Sequence, residues 1–168
     1  TNGGANWDSV TTITDMAAGL TLRKVVFPTA STGYIFSASI VAPDSSTVFK
    51  TTNAGVSWIK SVIAGVTGSA RQIYGASFIN ANTGWITNFT PYPLRTTDGG
   101  ANWTPQTLVD GNTAGFLYNI KMFNASTGIC AMSAGGRVYK TTNGGDLWDT
   151  ISVPTRTYGF NALDFVNP

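Results

Sequence analysis

The sequence predicts an all-β protein built from repeated four-stranded antiparallel units, and three observations carry this prediction. A segment with the pattern Thr-x-(Asn or Asp)-x-Gly-x-x-Trp occurs three times, and a fourth copy, shortened at its front, opens the chain. A phenylalanine shortly followed by a Thr-Gly pair recurs at one place in each unit. Repetition at roughly 45 residues indicates stacked supersecondary units. Short alternating strands without a helical period are typical of the blades of a β-propeller.

The recurring Thr-to-Trp segment is expected to form the turn of a β-hairpin. Its Asn or Asp side chain accepts hydrogen bonds from main-chain N–H groups just ahead of it. The glycine two positions later takes a positive φ, and the tryptophan buries its ring against neighbouring strands. Three copies carry Asn and one carries Asp98, so the turn needs an acceptor and not a charge, which argues against catalysis or metal binding. The residues assigned to these turns are Asn2, Gly4, Trp7, Thr51, Asn53, Gly55, Trp58, Thr96, Asp98, Gly100, Trp103, Thr141, Asn143, Gly145 and Trp148.

This segment resembles the Asp box, or bacterial neuraminidase repeat, of sialidases, sortilin-type receptors and xyloglucan-cleaving glycosidases. The longer string Arg/Lys-Thr-Thr-Asp/Asn-Gly-Gly-x-x-Trp, with Phe-x-Asn-x-x-Thr-Gly upstream, is more similar to the photosystem II assembly-factor group of propellers and to related repeat proteins secreted by bacteria. The resemblance covers essentially the whole chain. It implies an Asp-box β-propeller whose boxes lie on the blade periphery, away from the ligand-binding face. Ala54 replaces the first glycine and Leu147 a small polar residue, and we expect neither to disturb the turn.

The elements follow one another in a fixed order. An outgoing strand at 7–13 comes first, and an isolated first strand at 160–165 comes last. Between them lie three complete units, at about 20–63, 70–109 and 115–153, whose strands are rich in Val, Ile, Thr and aromatic residues. In each unit the Phe-to-Gly segment joins the first strand to the second, and the box joins the third to the fourth. The predicted strands are 22–27, 33–38, 47–52, 58–63, 72–78, 84–89, 94–97, 103–109, 117–123, 128–133, 137–142 and 148–153.

Residues 1–168 therefore form a single partial β-propeller, with three complete blades and one strand of a further blade at each end. A closed ring usually needs about four blades or more. We infer a fragment of a larger propeller, or a chain whose ring is completed by another copy or another polypeptide. Open blade faces and unpaired strand edges favour self-association.

The composition excludes several classes of function. Charged residues make up 11% of the chain, the formal net charge is +2, and histidine is absent. The basic residues are scattered, so nucleic acid is not an expected partner. No run of about 18 apolar residues predicts a membrane span. Cys130 is the only cysteine, expected to be buried, and neither a metal nor another cofactor is predicted. Low charge with abundant Thr and Asn suggests a secreted or cell-surface protein.

The candidate ligand face is the one formed by the loops between blades and between second and third strands. Arginines at or just before first strands predict a weakly positive patch there. Counting back four residues from each repeated Phe gives Arg23, Tyr74, Asn119 and Asn161, which predicts one polar side chain per blade on the channel wall. Tyr92, between two prolines, is expected to be exposed and to stack on a sugar or insert into a protein partner. Solvated side chains, or for Tyr92 a loop packed on its own blade, are the alternatives. The ligand-binding hypothesis comprises Arg23, Arg71, Tyr74, Tyr92, Asn119 and Arg156.

Catalysis is not expected from this set of residues. A glycosidase needs two carboxylates at about 5 or 6.5–9.5 Å, and Asp44 and Asp110 lie in loops of the candidate face without a predicted partner. A sialidase-like Tyr–Glu pair is impossible without glutamate, as are His-based charge relays without histidine. The leading hypothesis is a non-catalytic module for protein or glycan interaction, part of a larger secreted or surface protein. The alternatives are a fragment of a xyloglucanase- or sialidase-like glycoside hydrolase, and a self-assembling structural unit.

Overall fold

The computed structural model describes residues 5–6, 13, 20–39, 46–64, 66, 72–113, 115–133 and 135–151 of the 168-residue chain. In these ranges every element of regular secondary structure is a β-strand. The strands are β1 (Leu20–Val26), β2 (Gly33–Ser39), β3 (Ser46–Thr51), β4 (Ile59–Val62), β5 (Ile73–Phe78), β6 (Gly84–Asn88), β7 (Leu94–Thr96), β8 (Thr104–Pro105), β9 (Thr107–Leu108), β10 (Leu117–Met122), β11 (Gly128–Met132), β12 (Val138–Thr141) and β13 (Leu147–Ile151).

The strands form three sheets, which we call blades one, two and three. Blade one has the order β1-β2-β3-β4, blade two β5-β6-β7-β8 and blade three β10-β11-β12-β13, all antiparallel. The first strands β1, β5 and β10 contact one another in turn, as the innermost strands of successive blades do. The predicted fold class, a partial β-propeller of four-stranded antiparallel blades, is confirmed. The end strands at 7–13 and 160–165 fall outside the described residues apart from 13, so the division of the chain at its ends stays a prediction.

The strand expected at 103–109 is broken in two. Pro105 has no N–H to continue the ladder, and the Gln106 N–H turns to donate to the carbonyl of Pro93 at 2.9 Å. The chain then crosses to blade three, where β9 pairs in parallel with β13 and Val109 N donates to Trp148 O at 2.9 Å. The outgoing segment of blade two thereby covers part of the outer edge of blade three.

Apolar side chains from facing sheets form the two cores. One lies between blades one and two and includes Tyr34, Phe36 and Ile86. The other lies between blades two and three and includes Trp85 and Cys130, both completely buried. Burial raises the pKa of the Cys130 thiol, which keeps the thiol protonated. The position of Cys130 confirms the buried side chain predicted for it.

The box turns have the hydrogen bonds expected of them. In the second box, Thr96 Oγ1 donates to Asp98 Oδ1 at 2.9 Å and accepts from Gly100 N at 2.9 Å. Asp98 Oδ1 also accepts from Asn102 N at 2.9 Å, and Gly100 has a φ of 85°. The first and third boxes repeat this pattern with Asn in place of Asp. An amide therefore replaces the carboxylate without changing the turn.

Ala54 is the one described non-glycine residue with a positive φ, at 58°. It occupies the position of Gly99 and Gly144, whose φ angles are 71° and 75°. Its N–H donates to Ser31 O at 2.8 Å, so the turn keeps the bond that ties the box to the first hairpin of the same blade. The alanine is accommodated, at the energetic cost of a left-handed conformation.

The register of the first hairpin in blade three differs from the sequence alignment by one residue. Gly84 pairs with Phe78 in blade two, whereas Gly128 pairs with Met122 in blade three. A Cβ atom added at either glycine would overlap the side chain of that partner. The segment from Phe123 to Gly128 is one residue shorter than its counterparts. Met122, and not Phe123, therefore takes the position of the repeated phenylalanine.

Candidate functional site

Each innermost strand carries a β-bulge near its loop end. The pairing with the second strand shifts between Leu22 and Lys24 in blade one, Ile73 and Gly75 in blade two, and Leu117 and Asn119 in blade three. The extra residue of a bulge is left out of the ladder, and bulges often direct a side chain towards a binding site. The bulged residues are Arg23, Tyr74 and Tyr118.

Two of these bulged residues join two phenylalanines in an aromatic cluster, which we define as Tyr74, Phe89, Phe116 and Tyr118. The rings of Phe89 and Phe116 stack at 3.8 Å between centroids, and those of Tyr74 and Tyr118 lie 4.6 Å apart. Phe116 also lies 5.3 Å from Tyr118 and 6.1 Å from Tyr74. Phe89 is exposed and the other three rings are half-buried. The result is a continuous aromatic surface at the junction of blades two and three.

Polar groups border one side of the aromatic cluster. Tyr74 donates its hydroxyl proton to Gln72 Oε1 at 2.9 Å, and Arg23 donates to the same oxygen at 3.4 Å. Burial raises the pKa of Tyr74, with a smaller raising effect from Tyr118 and a lowering one from Arg23, so its hydroxyl stays a donor at neutral pH. Within the described ranges, the guanidinium of Arg23 makes no ion pair. A positive charge therefore stands beside the rings.

The loops that carry the two phenylalanines are held by local hydrogen bonds. Buried Asn88 accepts from Thr90 N at 3.1 Å, and the single proton of the Thr90 hydroxyl is shared between Asn88 Oδ1 and Tyr92 O, the latter at 2.9 Å. Leu117 N donates to Thr90 O at 3.3 Å. Because these bonds link the two loops, Phe89 and Phe116 are presented in a fixed relation.

The predicted ligand-binding residues are brought together only in part. Arg23 and Tyr74 meet through Gln72, as bulged residues of neighbouring strands. Asn119 does not share their register, because the shift in blade three places Tyr118 there; the Asn119 side chain accepts from Ile120 N at 2.9 Å instead. Tyr92 is half-buried against the core of blades one and two, so it is less exposed than predicted. The remaining two candidates, Arg71 and Arg156, lie outside the described residues.

Three of the described carboxylates, Asp98, Asp110 and Asp146, are engaged by their own partners. Asp110 pairs with Arg137 at 3.1 Å and accepts from the Tyr139 hydroxyl at 3.2 Å. Asp98 and Asp146 line a groove of about 270 Å³ at the box edge, where Asp146 pairs with Arg95 at 3.1 Å. Hydrogen bonds from the main chain and side chain of Asn102, and then from Thr96, lower the pKa of Asp98 to about 2. Such a group is ionised at neutral pH and has no proton to donate.

Comparison with known proteins supports this architecture. The family model described as photosynthesis system II assembly factor YCF48 matches residues 1–162. The structure of YCF48 bound to D1 peptide is 23% identical, with a TM-score of 0.64 over 79% of this chain and 40% of that one. YCF48 from Cyanidioschyzon merolae is 22% identical, with a TM-score of 0.61 over 82% of this chain and 38% of that one. No curated protein sequence matches the chain.

Propeller enzymes are also similar in structure. The GH74 xyloglucanase from Xanthomonas campestris has a TM-score of 0.65 at 13% identity, over 89% of this chain and 26% of that one. At this identity the likeness shows the fold alone. The chain spans about two fifths of the length of the YCF48 structures and about a quarter of the xyloglucanase.

Among the described residues, no helix has the length and apolar character needed to cross a membrane. The secreted or cell-surface localisation expected from composition is wrong, because the matching family is a photosystem II assembly factor of the chloroplast or the cyanobacterial cell. With its match over residues 1–162 and its Asp-box blades, the chain belongs to the family of the photosynthesis system II assembly factor YCF48.

Proposed function

We propose that this chain is a non-catalytic propeller module that binds a segment of a protein partner on its aromatic cluster. The observation that carries the proposal is the contact of four aromatic rings, at 3.8–6.3 Å between centroids, at the loop end of blades two and three. Clustered aromatic residues beside an arginine are the composition enriched at the centres of protein interfaces. Arg23 supplies the charge and Gln72 its amide group.

A protein segment suits the aromatic cluster better than a glycan does. A sugar ring stacks on an open aromatic face, but Phe89 and Phe116 already cover each other at an interplanar angle of 20°. Tyr74 lies against Tyr118 in a tilted arrangement. The cluster therefore offers ring edges and an uneven apolar surface, which match the side chains of a peptide.

The comparisons and the carboxylates add support. The structure of YCF48 bound to D1 peptide provides a related propeller with a peptide ligand. A glycoside hydrolase needs one carboxyl group with a raised pKa as general acid. Asp98 has a lowered pKa, and Asp110 and Asp146 are each bound to an arginine. These three carboxylates therefore favour binding over hydrolysis.

The proposal is tested by titrating a fluorescently labelled D1 peptide and, separately, a xyloglucan oligosaccharide into the chain. Tyr118→Ala removes a ring from the cluster, and Phe123→Ala removes a phenylalanine outside it that is 45% exposed. Loss of one interface aromatic costs about 1–2 kcal/mol, so we expect Tyr118→Ala to weaken peptide binding by about 5- to 30-fold. Phe123→Ala should bind like the wild type.

Equal peptide affinity for the wild type, Tyr118→Ala and Phe123→Ala would place the site elsewhere. Saturable binding of the oligosaccharide that is lost in Tyr118→Ala would assign the cluster to glycans. Thermal unfolding of all three proteins separates a binding defect from a folding defect.

A further inference from the structure

The third box has an Asn-Gly pair at the tip of its turn. Asn143 precedes Gly144, and theirs is the Asn-Gly pair that falls within the described ranges. Asparagine is a thermolabile residue, because the main-chain nitrogen that follows it can attack its side-chain carboxamide. Glycine puts no side chain in the way of this attack. Asn143 is exposed to water, so both reactants of a deamidation are present.

The fold requires glycine at position 144. The φ of Gly144 is 75°, in the left-handed region that side chains disfavour. A Cβ atom at this glycine would also lie 2.8 Å from the carbonyl oxygen of Ala125, closer than side-chain carbon atoms approach an oxygen. In the first box Ala54 takes the corresponding position with a φ of 58°. Packing in blade three therefore retains the labile pair.

The closed turn holds both reacting groups in hydrogen bonds. The attacking atom, Gly144 N, donates to Ser126 O at 2.8 Å. The carboxamide oxygen of Asn143 accepts from the Thr141 hydroxyl at 2.9 Å and from Leu147 N at 3.1 Å. Attack on the carboxamide carbon needs the nitrogen to leave Ser126 and the side chain to turn away from Leu147. The reaction therefore requires the turn to open.

The second box shows which product fits the turn. Its Asp98 carboxylate accepts from the Thr96 hydroxyl and from Asn102 N, both at 2.9 Å. An aspartate formed in the third box can make the same bonds. In isoaspartate the main chain runs through the side-chain Cβ and Cγ atoms and is one carbon longer. The turn then loses the spacing that brings Gly145 N to Thr141 Oγ1 at 2.8 Å.

We propose that Asn143 is a deamidation site that reacts when the turn of the third box opens. Gly144 N bonds to Asn143 Cγ, the Cγ–Nδ2 bond breaks, and ammonia leaves with the main-chain amide proton. Water then adds to one of the two carbonyl carbons of the resulting cyclic imide, and that carbon's bond to nitrogen breaks. The product is aspartate, which restores the turn, or isoaspartate, which does not. Openings of blade three are thereby recorded as a covalent change.

The test follows deamidation of Asn143 in mildly alkaline buffer by mass spectrometry of its proteolytic peptide. A synthetic peptide with the sequence of residues 139–150 serves as the open reference. Opening the turn breaks four hydrogen bonds, and each makes a difference of about 3- to 10-fold. We therefore expect Asn143 to react at least about 100-fold more slowly in the folded chain than in the peptide.

Substitutions in the turn separate opening from intrinsic reactivity. Thr141→Val leaves Gly145 N buried without its acceptor, so it should speed the reaction of the folded chain by about 10- to 100-fold. Thr142→Val, at the exposed neighbour, should react like the wild type. Ala54→Gly gives the first box an Asn-Gly pair, and Asn53 should then react faster than in the wild type when urea unfolds both chains.

Equal rates in the folded chain and the peptide would overturn the proposal, as would equal rates for Thr141→Val and Thr142→Val. If Thr141→Val does not fold, the wild-type chain answers the question. Its rate of deamidation at Asn143 should rise as urea is added, because urea favours open states of the turn. A rate that does not depend on urea would show that opening does not control the reaction.

Discussion

Replacing Thr96 by valine tests the claim that polar chemistry in the box holds each blade. Thr96 is 1% exposed, and its hydroxyl donates to Asp98 and accepts from the buried Gly100 N–H. Valine keeps the branched shape that suits a strand and removes only the hydroxyl. The Gly100 N–H is then buried without its acceptor, while the Asp98 carboxylate can turn to water.

The magnitude follows from these bonds. A typical hydrogen bond contributes about 1 kcal/mol net, and a buried donor left without a partner costs about 1–3 kcal/mol. We expect Thr96→Val to lower the free energy of unfolding by about 2–3 kcal/mol. In the third box Gly145 N is also buried, so Thr141→Val should cost the same. In the first box Gly55 N is only partly buried and can find water, so Thr51→Val should cost about 1 kcal/mol.

Urea unfolding followed by tryptophan fluorescence measures these differences. With a slope of about 2 kcal/mol per molar urea, the midpoint of Thr96→Val should fall by about 1–1.5 M. Thr97→Val is the matched control, since Thr97 is exposed and adjacent, and it should stay within about 0.5 kcal/mol of the wild type. A cost for Thr51→Val or Thr97→Val equal to that of Thr96→Val would refute the reasoning.

Three further predictions concern single positions. Ala54→Gly relieves the positive φ of 58° and should raise the free energy of unfolding by about 1 kcal/mol in the same urea assay. Tyr34→Phe removes the hydroxyl that donates to the carbonyl of Ala81, whereas the carbonyl of Gly99 keeps its bond from Lys50 Nζ; the change should cost about 1–2 kcal/mol, measured likewise. Asp98 has a pKa of about 2 in the folded chain against an ordinary value of 3.8. The stability it contributes is therefore present above about pH 4 and lost as the pH falls towards 2. Asp98→Asn should lose less stability than the wild type over that interval, and an unchanged acid-unfolding curve would contradict the assignment.

The sequence predicts most of the fold because the box chemistry is local. Thr, Asn or Asp, and Gly within five residues fix the turn by themselves, so their recurrence marks the turns and hence the strands between them. The sequence pattern does not predict the one-residue register shift in blade three, for a related reason. Phe123 aligns with Phe27 and Phe78 by residue type, but the hairpin that follows is one residue shorter. In the structure Met122, and not Phe123, pairs with Gly128. A pattern of residue types contains no information on this strand pairing.

The sequence predicts the candidate site only in part, because that site depends on contacts between blades. Arg23 and Tyr74 were found by their register, whereas Phe89, Phe116 and Tyr118 do not recur as a motif. The sequence signal that would have helped is the run Phe116-Leu117-Tyr118, directly before and within an innermost strand. The flanking prolines predict an exposed Tyr92, yet this residue is half-buried against the core of blades one and two. Localisation was inferred from composition, which reports folding class more directly than cellular compartment.

The bulges explain how a repeated backbone carries a site that does not repeat. All three innermost strands leave one residue out of the ladder at the same register, so the backbone presents a side chain there whatever its identity. Arginine occupies this position in blade one and tyrosine in blades two and three. The box turn has no such freedom. Its threonine hydroxyl, its Asn or Asp side chain and its glycine N–H each make a hydrogen bond that the turn requires. We therefore expect exchange of residues at the bulges to change the ligand of the proposed binding surface, while the boxes hold the blades. Binding and stability can for this reason be tested by separate substitutions.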